Sequence, residues 1–84
     1  MEGPLHQVSE YISYTDFIAD VSIKHEAIFR KFGWTYGQTY FNMLAQAKLN
    51  VANLIRATDL DPFHLEEMTE LQHKIIEGLW NDAR

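Results

Sequence analysis

Apolar residues recur every three or four positions along most of the chain, which is the spacing of amphipathic α-helices. The first long stretch predicts a helix from Thr15 to Phe32, with Ser13 or Thr15 as its N-cap and Gly33 as the residue that ends it. The apolar stripe of this helix is formed by Phe17, Ile18, Val21, Ile28, Phe29 and Phe32. Ahead of it, a short additional helix is predicted from the spacing of Leu5, Val8 and Ile12.

Two more long helices are predicted after this one. The second begins between residues 35 and 38 and reaches Ala57. The third begins at Asp61 and Pro62, because this pair provides a typical N-cap followed by a typical first helical residue. The predicted buried positions are Tyr40, Leu44, Ala47, Val51, Leu54 and Ile55 in the second helix, and Leu65, Met68, Leu71, Ile75, Ile76 and Leu79 in the third.

Short connections between long helices favour antiparallel neighbours. We therefore predict an all-α fold, a small three-helix antiparallel bundle with a short extra N-terminal helix. A chain of 84 residues is close to the lower limit of what folds alone, so residues 1–84 are predicted to form a single helical domain.

The predicted second helix carries neutral amides on the side opposite its apolar positions, at Asn42, Gln46, Asn50 and Asn53. Glu and Lys are more usual there, because they favour the helix and keep the surface soluble. Amides lose their hydration at a lower cost than charged groups, so such a face can be buried against a partner. Two interpretations stay open: an interface with another protein, which we favour slightly, and an idle polar surface.

An aromatic cluster lies next to this amide face. Six of the eleven aromatic residues fall within thirteen positions, at Phe29, Phe32, Trp34, Tyr36, Tyr40 and Phe41. Either they build the core around one turn, or some of them meet a partner, since aromatic residues are enriched at interfaces. The predicted partner-binding residues are Trp34, Tyr36, Gln38, Asn42, Gln46, Asn50 and Asn53.

The charge balance opposes a role in nucleic-acid binding. Twelve acidic residues against seven Lys and Arg give a net charge of −5, and the basic residues are spread over the chain. Gln38, Asn42 and Gln46 could read bases from a helix-turn-helix, but that helix lacks the cations that bind phosphates. Nucleic-acid binding is therefore the least favoured function, and no membrane span or signal peptide is recognisable, which predicts a cytoplasmic protein.

No catalytic, metal or cofactor site is predicted. Glu70 and His73 have the spacing found in di-iron bundles, but the chain lacks the second such pair that these sites need. His25 lies on the apolar side of the first helix, where a half-buried imidazole bonded to a neighbouring helix is the ordinary explanation. Without a phosphate loop, a nucleophile in a typical setting or any cysteine, we expect a protein that is not an enzyme.

Two segments together resemble a pattern in short hypothetical proteins of bacteria and their phages. These are GQxxFN at residues 37–42 and IRxTxxDPF at residues 55–63. The chain departs from that pattern directly afterwards, where it has His-Leu-Glu-Glu in place of a Tyr and acidic residues. No activity is assigned to such proteins, so the resemblance implies an origin in a phage or other mobile element. By its residue types alone, the second segment predicts a structural clasp, in which Thr58 and Asp59 brace the turn and Arg56 pairs with Asp59 or Asp61.

Taken together, these features predict a non-enzymatic acidic helical protein that acts by protein–protein contact. The resemblance extends this prediction to a modulator or inhibitor of a host or defence complex in the cytoplasm of a bacterial host. The main alternative is a self-associating homodimer with a structural role.

Overall fold

A computed structural model of the chain describes residues 11–82. These residues form four α-helices: α1 (Tyr14–Ala27), α2 (Tyr36–Ala47), α3 (Leu49–Ile55) and α4 (Glu70–Asp82). A 3₁₀ segment (Phe29–Phe32) lies between α1 and α2, and no strand occurs within the described range. The predicted all-α class is therefore confirmed. Most of the short helix predicted around residues 5–12 lies outside the described residues.

The first predicted helix begins as expected but ends early. Ser13 is the N-cap of α1, since its hydroxyl accepts a hydrogen bond from the backbone N–H of Asp16 at 3.2 Å. The helix stops at Ala27, and the chain continues as the 3₁₀ segment up to Gly33. Gly33 has a φ of 86°, the left-handed conformation in which glycine commonly ends a helix.

The second predicted helix is divided in two. Thr35 caps α2 by accepting the N–H of Gln38 at 3.0 Å, but the helix breaks at Lys48. The carbonyl of Lys48 then accepts the N–H groups of Val51 and Ala52 and so starts α3. Neither glycine nor proline occurs at the break, where the Lys48 ammonium lies 5.1 Å from the ring centre of Trp80 on α4.

The third predicted helix begins eight residues later than Pro62, at Glu70. The prediction that a helix begins at Asp61 is wrong, because residues 61–69 are not helical. The Asp61 carboxylate accepts the N–H of Phe63 at 3.0 Å, as an N-cap would, but it also accepts the N–H of Ala57 at 2.8 Å and so braces a turn. The start of α4 is stabilised by a reciprocal pair: Thr69 Oγ1 accepts the N–H of Gln72, and Gln72 Oε1 accepts the N–H of Thr69. This is a capping box with Gln in place of Glu.

The core lies where α2 contacts α1 and α3, with α4 packed against α1 and α3. It consists of Tyr14, Phe17, Val21, Tyr40, Phe41, Leu44, Val51, Ala52, Ile55, Ile76 and Trp80. Several positions predicted to be buried are exposed, namely Ile28, Phe32, Leu54, Leu65, Leu71 and Ile75. On α4 the error has a clear cause: the helix turns Gln72, Ile76 and Trp80 toward the core, so that Leu71 and Ile75 face outward.

Candidate partner-binding groove

A groove of about 480 Å³ lies between α1, the 3₁₀ segment and α2. One wall is an aromatic pair: the rings of Phe29 and Trp34 stack with centroids 4.5 Å apart and planes 12° apart. Met43 and Ala47 add apolar surface from α2, and the same helix contributes the amides of Asn42 and Gln46. Tyr11 and Lys24 complete the lining. The groove is thus mostly apolar with polar groups at a few points, as is usual for sites that bind a partner group.

The structure brings together three of the seven predicted partner-binding residues. Trp34, Asn42 and Gln46 line the groove. Tyr36 is outside the groove lining and packs edge-on against the ring of His25, with centroids 5.7 Å apart. Gln38 is half-buried in the first turn of α2, likewise outside the groove lining.

The remaining two predicted residues, Asn50 and Asn53, lie on a different helix. Both are exposed on α3, beyond the break at Lys48. Asn53 accepts a hydrogen bond from Arg56 at 3.3 Å. The seven residues therefore do not form one face of one helix, because α2 ends at Ala47 and Asn50 and Asn53 belong to α3.

Sequence reasoning did not find Tyr11 and Lys24 as groove residues. They are joined by Asp20, whose carboxylate accepts the Tyr11 hydroxyl at 2.7 Å and forms an ion pair with Lys24 at 2.8 Å. The hydrogen bond from Lys24 lowers the pKa of Asp20, and burial together with Asp20 raises the pKa of Tyr11 to about 12. The spacing of Asp20 and Lys24 on one helix face could have indicated the pair.

A second set of polar side chains lies inside the core. The hydroxyl of Tyr14 on α1 is 2.6 Å from that of Tyr40 on α2 and 2.8 Å from Nδ1 of His73 on α4. Burial raises the pKa of both tyrosines well above the value of a free phenol, so both stay protonated at neutral pH. Burial also lowers the pKa of His73, which Glu77 partly opposes. This network ties three helices together and offers no phenolate nucleophile.

The other histidine considered from the sequence is structural too. His25 is buried, and its Nδ1 lies 2.7 Å from the hydroxyl of Thr39 on α2. The predicted hydrogen bond from His25 to a neighbouring helix is thus confirmed. Within residues 11–82, no group of three or more His, Asp or Glu side chains is placed to hold a metal ion. No helix in the same range is long and apolar enough to cross a membrane.

Comparison of the chain with models of protein families, with curated proteins and with solved structures finds no match.

Proposed function

We propose that this chain is a non-enzymatic helical protein that binds another protein, and that the groove is the centre of its binding surface. The observation that carries this proposal is the convergence of Trp34, Asn42 and Gln46 on one groove. From the sequence, Trp34 is predicted to bind a partner because it belongs to the aromatic cluster, and Asn42 and Gln46 because they belong to the amide face. We also propose that the helices form the three-helix antiparallel bundle expected from the sequence. In this bundle α1 is the first helix, α2 and α3 together are the second, and α4 is the third.

The chemistry of the groove suits a protein partner. The stacked rings of Phe29 and Trp34 present a flat apolar wall, and tryptophan is among the residues that contribute most to binding energy. Met43 is unbranched and adapts its shape to an incoming apolar side chain. Asn42 and Gln46 can bond to polar groups of a partner without stranding a charge in the contact. An apolar side chain from the partner would enter the groove, with its polar neighbours at the amides.

The resemblance of residues 37–42 and 55–63 to short bacterial and phage proteins extends the proposal. The chain would originate from a phage or other mobile element and act as a modulator or inhibitor of a host or defence complex in the bacterial cytoplasm. Binding is sufficient for such a role, and neither a cofactor nor a metal is required for it.

The test is to use the tagged chain as bait in a bacterial lysate, in three forms. These are the wild type, Gln46→Glu and the matched control Asn50→Glu. Both substitutions add one negative charge at an exposed amide, but Gln46 lines the groove and Asn50 lies on α3 outside it. We expect a stoichiometric partner to bind the wild type and Asn50→Glu, and to be lost with Gln46→Glu.

Other results would revise or reject the proposal. If both variants lose the partner, the binding surface extends over α2 and α3, as the seven residues predicted from the sequence imply. Retention with both variants would show that the groove is not the binding surface. If the wild type retains no partner at all, the proposal of binding to a host protein is rejected.

Self-association is the second candidate, and α4 supports it. Leu71 is 66% exposed and Ile75 is 40% exposed, one turn apart on the same side of the helix. A two-fold pair of such helices would cover these side chains. Sedimentation velocity over a wide concentration range tests this, with Leu71→Lys as the disrupting variant and Leu54→Lys as its control, since Leu54 is similarly exposed on α3. A mass that stays near 9.8 kDa at all concentrations rejects self-association.

A further inference from the structure

A second cleft, of about 540 Å³, lies between α2 and the loop that follows α3. Its lining includes Phe41, Asn42, Arg56, Asp61, Phe63 and His64. Among the residues that the structure describes, the linings of this cleft and of the groove share only Asn42. The two sequence segments GQxxFN and IRxTxxDPF meet here, since Phe41 and Asn42 come from the first and Arg56, Asp61 and Phe63 from the second. We propose that this cleft binds a small organic oxyanion, carried on an aromatic or other apolar body, and that Arg56 is its main ligand.

Some polar residues of the cleft are already used to build it. Both carboxylate oxygens of Asp61 accept backbone N–H groups, from Ala57 at 2.8 Å and from Phe63 at 3.0 Å. The hydroxyl of Thr58 donates to the carbonyl of Ile55 at 2.6 Å and accepts the N–H of Leu60. Thr58, as predicted, and Asp61, in place of the predicted Asp59, therefore hold the loop in shape.

Arg56 takes no part in that bracing. The predicted ion pair of Arg56 with Asp59 or Asp61 is not formed, and within residues 11–82 no carboxylate lies at ion-pair distance from its guanidinium. In the described part of the chain the guanidinium makes one hydrogen bond, to Asn53 at 3.3 Å, and it lies 5.1 Å from the ring centre of Phe41. A guanidinium has five N–H donors in a planar fork that fits carboxylate and phosphate oxygens. Contact with the ring leaves most of these donors available and orients the fork.

The remaining walls of the cleft suit the body of such a ligand. The rings of Phe41 and Phe63 meet edge to face, with centroids 6.2 Å apart, and His64 packs edge to face on Phe63 at 5.1 Å. His64 is exposed and its ring N–H can give the oxyanion a second donor. The negative charge of Asp61 lies in the same lining, and its two backbone hydrogen bonds stabilise it there. Because this carboxylate repels an anion, binding of an oxyanion here depends on the opposite charge of Arg56.

The strained backbone next to Arg56 fits the same proposal. Ala57 has a φ of 62°, which a residue with a side chain adopts at a cost. Such strain persists where the surrounding structure imposes it, and it occurs frequently at binding sites. Here the hydrogen bond from Ala57 N–H to Asp61 holds the turn that places Arg56 at the edge of the cleft.

The test is a titration of the ¹⁵N-labelled full chain, followed by amide and Arg Nε–H chemical shifts. The probes are benzoate, phenyl phosphate and the uncharged benzyl alcohol, at constant ionic strength. We expect at least one of the two oxyanions to shift the signals of Arg56, Phe63 and His64 in a saturable way, while benzyl alcohol does not. The oxyanion that binds more tightly identifies the carboxylate or the phosphate as the preferred group.

Two charge-neutralising variants decide whether Arg56 is responsible. Arg56→Gln should weaken binding by roughly tenfold or more, as expected when a charged hydrogen-bond donor is removed. Arg30→Gln removes the same charge from an exposed arginine that pairs with Glu26, and it should leave binding unchanged. The proposal is overturned if neither oxyanion shifts the cleft signals saturably, if benzyl alcohol does so equally, or if both variants weaken binding to the same extent. Each of these results leaves the proposed role of the groove intact.

Discussion

Gly37 allows α2 and the loop before α4 to approach each other directly. Its N–H donates to the carbonyl of Leu65 at 2.8 Å. A Cβ atom built on Gly37 would overlap the carbonyl oxygen of Pro62, and would lie 2.6 Å from the Pro62 carbonyl carbon and 2.9 Å from Leu65 O. Non-bonded heavy atoms are stable at about 3.5–4.0 Å, so Gly37→Ala must push the loop away from α2.

The contacts around Gly37 set the effect of Gly37→Ala on the free energy of unfolding. Forcing an extra methyl group into a packed site costs up to about 3 kcal/mol, and loss of the hydrogen bond to Leu65 adds about 1 kcal/mol. Alanine favours the helix over glycine by about 1 kcal/mol. The net effect of Gly37→Ala is a loss of about 3 kcal/mol in the free energy of unfolding. In a domain of this size, that lowers the melting temperature by more than about 10 °C.

The measurement is urea unfolding of the full chain, followed by far-UV circular dichroism, with Gly78→Ala as the matched control. Gly78 lies in α4. Apart from its two chain neighbours and the nearby backbone of its own helix, no atom of residues 11–82 would lie within 4 Å of a Cβ atom added there. The same substitution at Gly78 should stabilise the protein by about 0.5–1 kcal/mol. If the free energy of unfolding of Gly37→Ala lies within about 0.5 kcal/mol of the wild-type value, the close approach of α2 and the loop is not a feature of the folded protein.

Two further predictions concern backbone strain and pH. Ala57→Gly should raise the free energy of unfolding by about 0.5–1 kcal/mol, because glycine adopts a positive φ without strain. The control Ala19→Gly, at an exposed position of α1, should lower the free energy of unfolding by about 1 kcal/mol. If urea unfolding shows that both variants change this free energy in the same direction, the backbone at Ala57 is not strained. Burial lowers the pKa of His73, so its contribution to stability is complete above its ordinary pKa of 6.5 and is lost as pH falls below that value. His73→Gln should therefore flatten the decline of stability between about pH 7 and pH 5, and an unchanged decline would contradict this.

Local signals in the sequence were enough to predict the ends of several elements. Ser13, one of the two predicted N-caps, caps α1. The helix α2 begins at Tyr36, within the predicted range of residues 35–38, and Gly33 adopts the left-handed conformation expected after a helical segment. Each of these features depends on atoms within about four residues along the chain, so one sequence contains the whole interaction. The hydrogen bond of buried His25 to a neighbouring helix was predictable for a similar reason, since its position on the apolar side of α1 follows from helical periodicity.

The candidate sites required contacts between distant parts of the chain. Sequence reasoning placed Trp34, Asn42 and Gln46 on one surface, but Tyr11 and Lys24 join them only through the packing of α1 on α2. Asn50 and Asn53 leave that surface because the helix breaks at Lys48. In the cleft, Arg56 stacks on Phe41 fifteen positions away instead of pairing with a nearby acid.

The helical class of the chain and the starts of α1 and α2 follow from the order of its amino acids, because helix formation and capping are short-range. Packing between the helices sets where the predicted helices are interrupted and which faces they bury. Residues 61–69 begin with a strong local signal for a helix. The carbonyl of Leu65 nevertheless accepts the N–H of Gly37 on α2, and the N–H of Leu65 donates to the carbonyl of Pro62 within a turn. Likewise, α4 buries Gln72 and Trp80 and exposes Leu71, because Trp80 packs against Phe17 on α1. Whether a segment is helical, and which face of a helix is buried, depends here on the combined packing energy of several elements, which no local pattern contains.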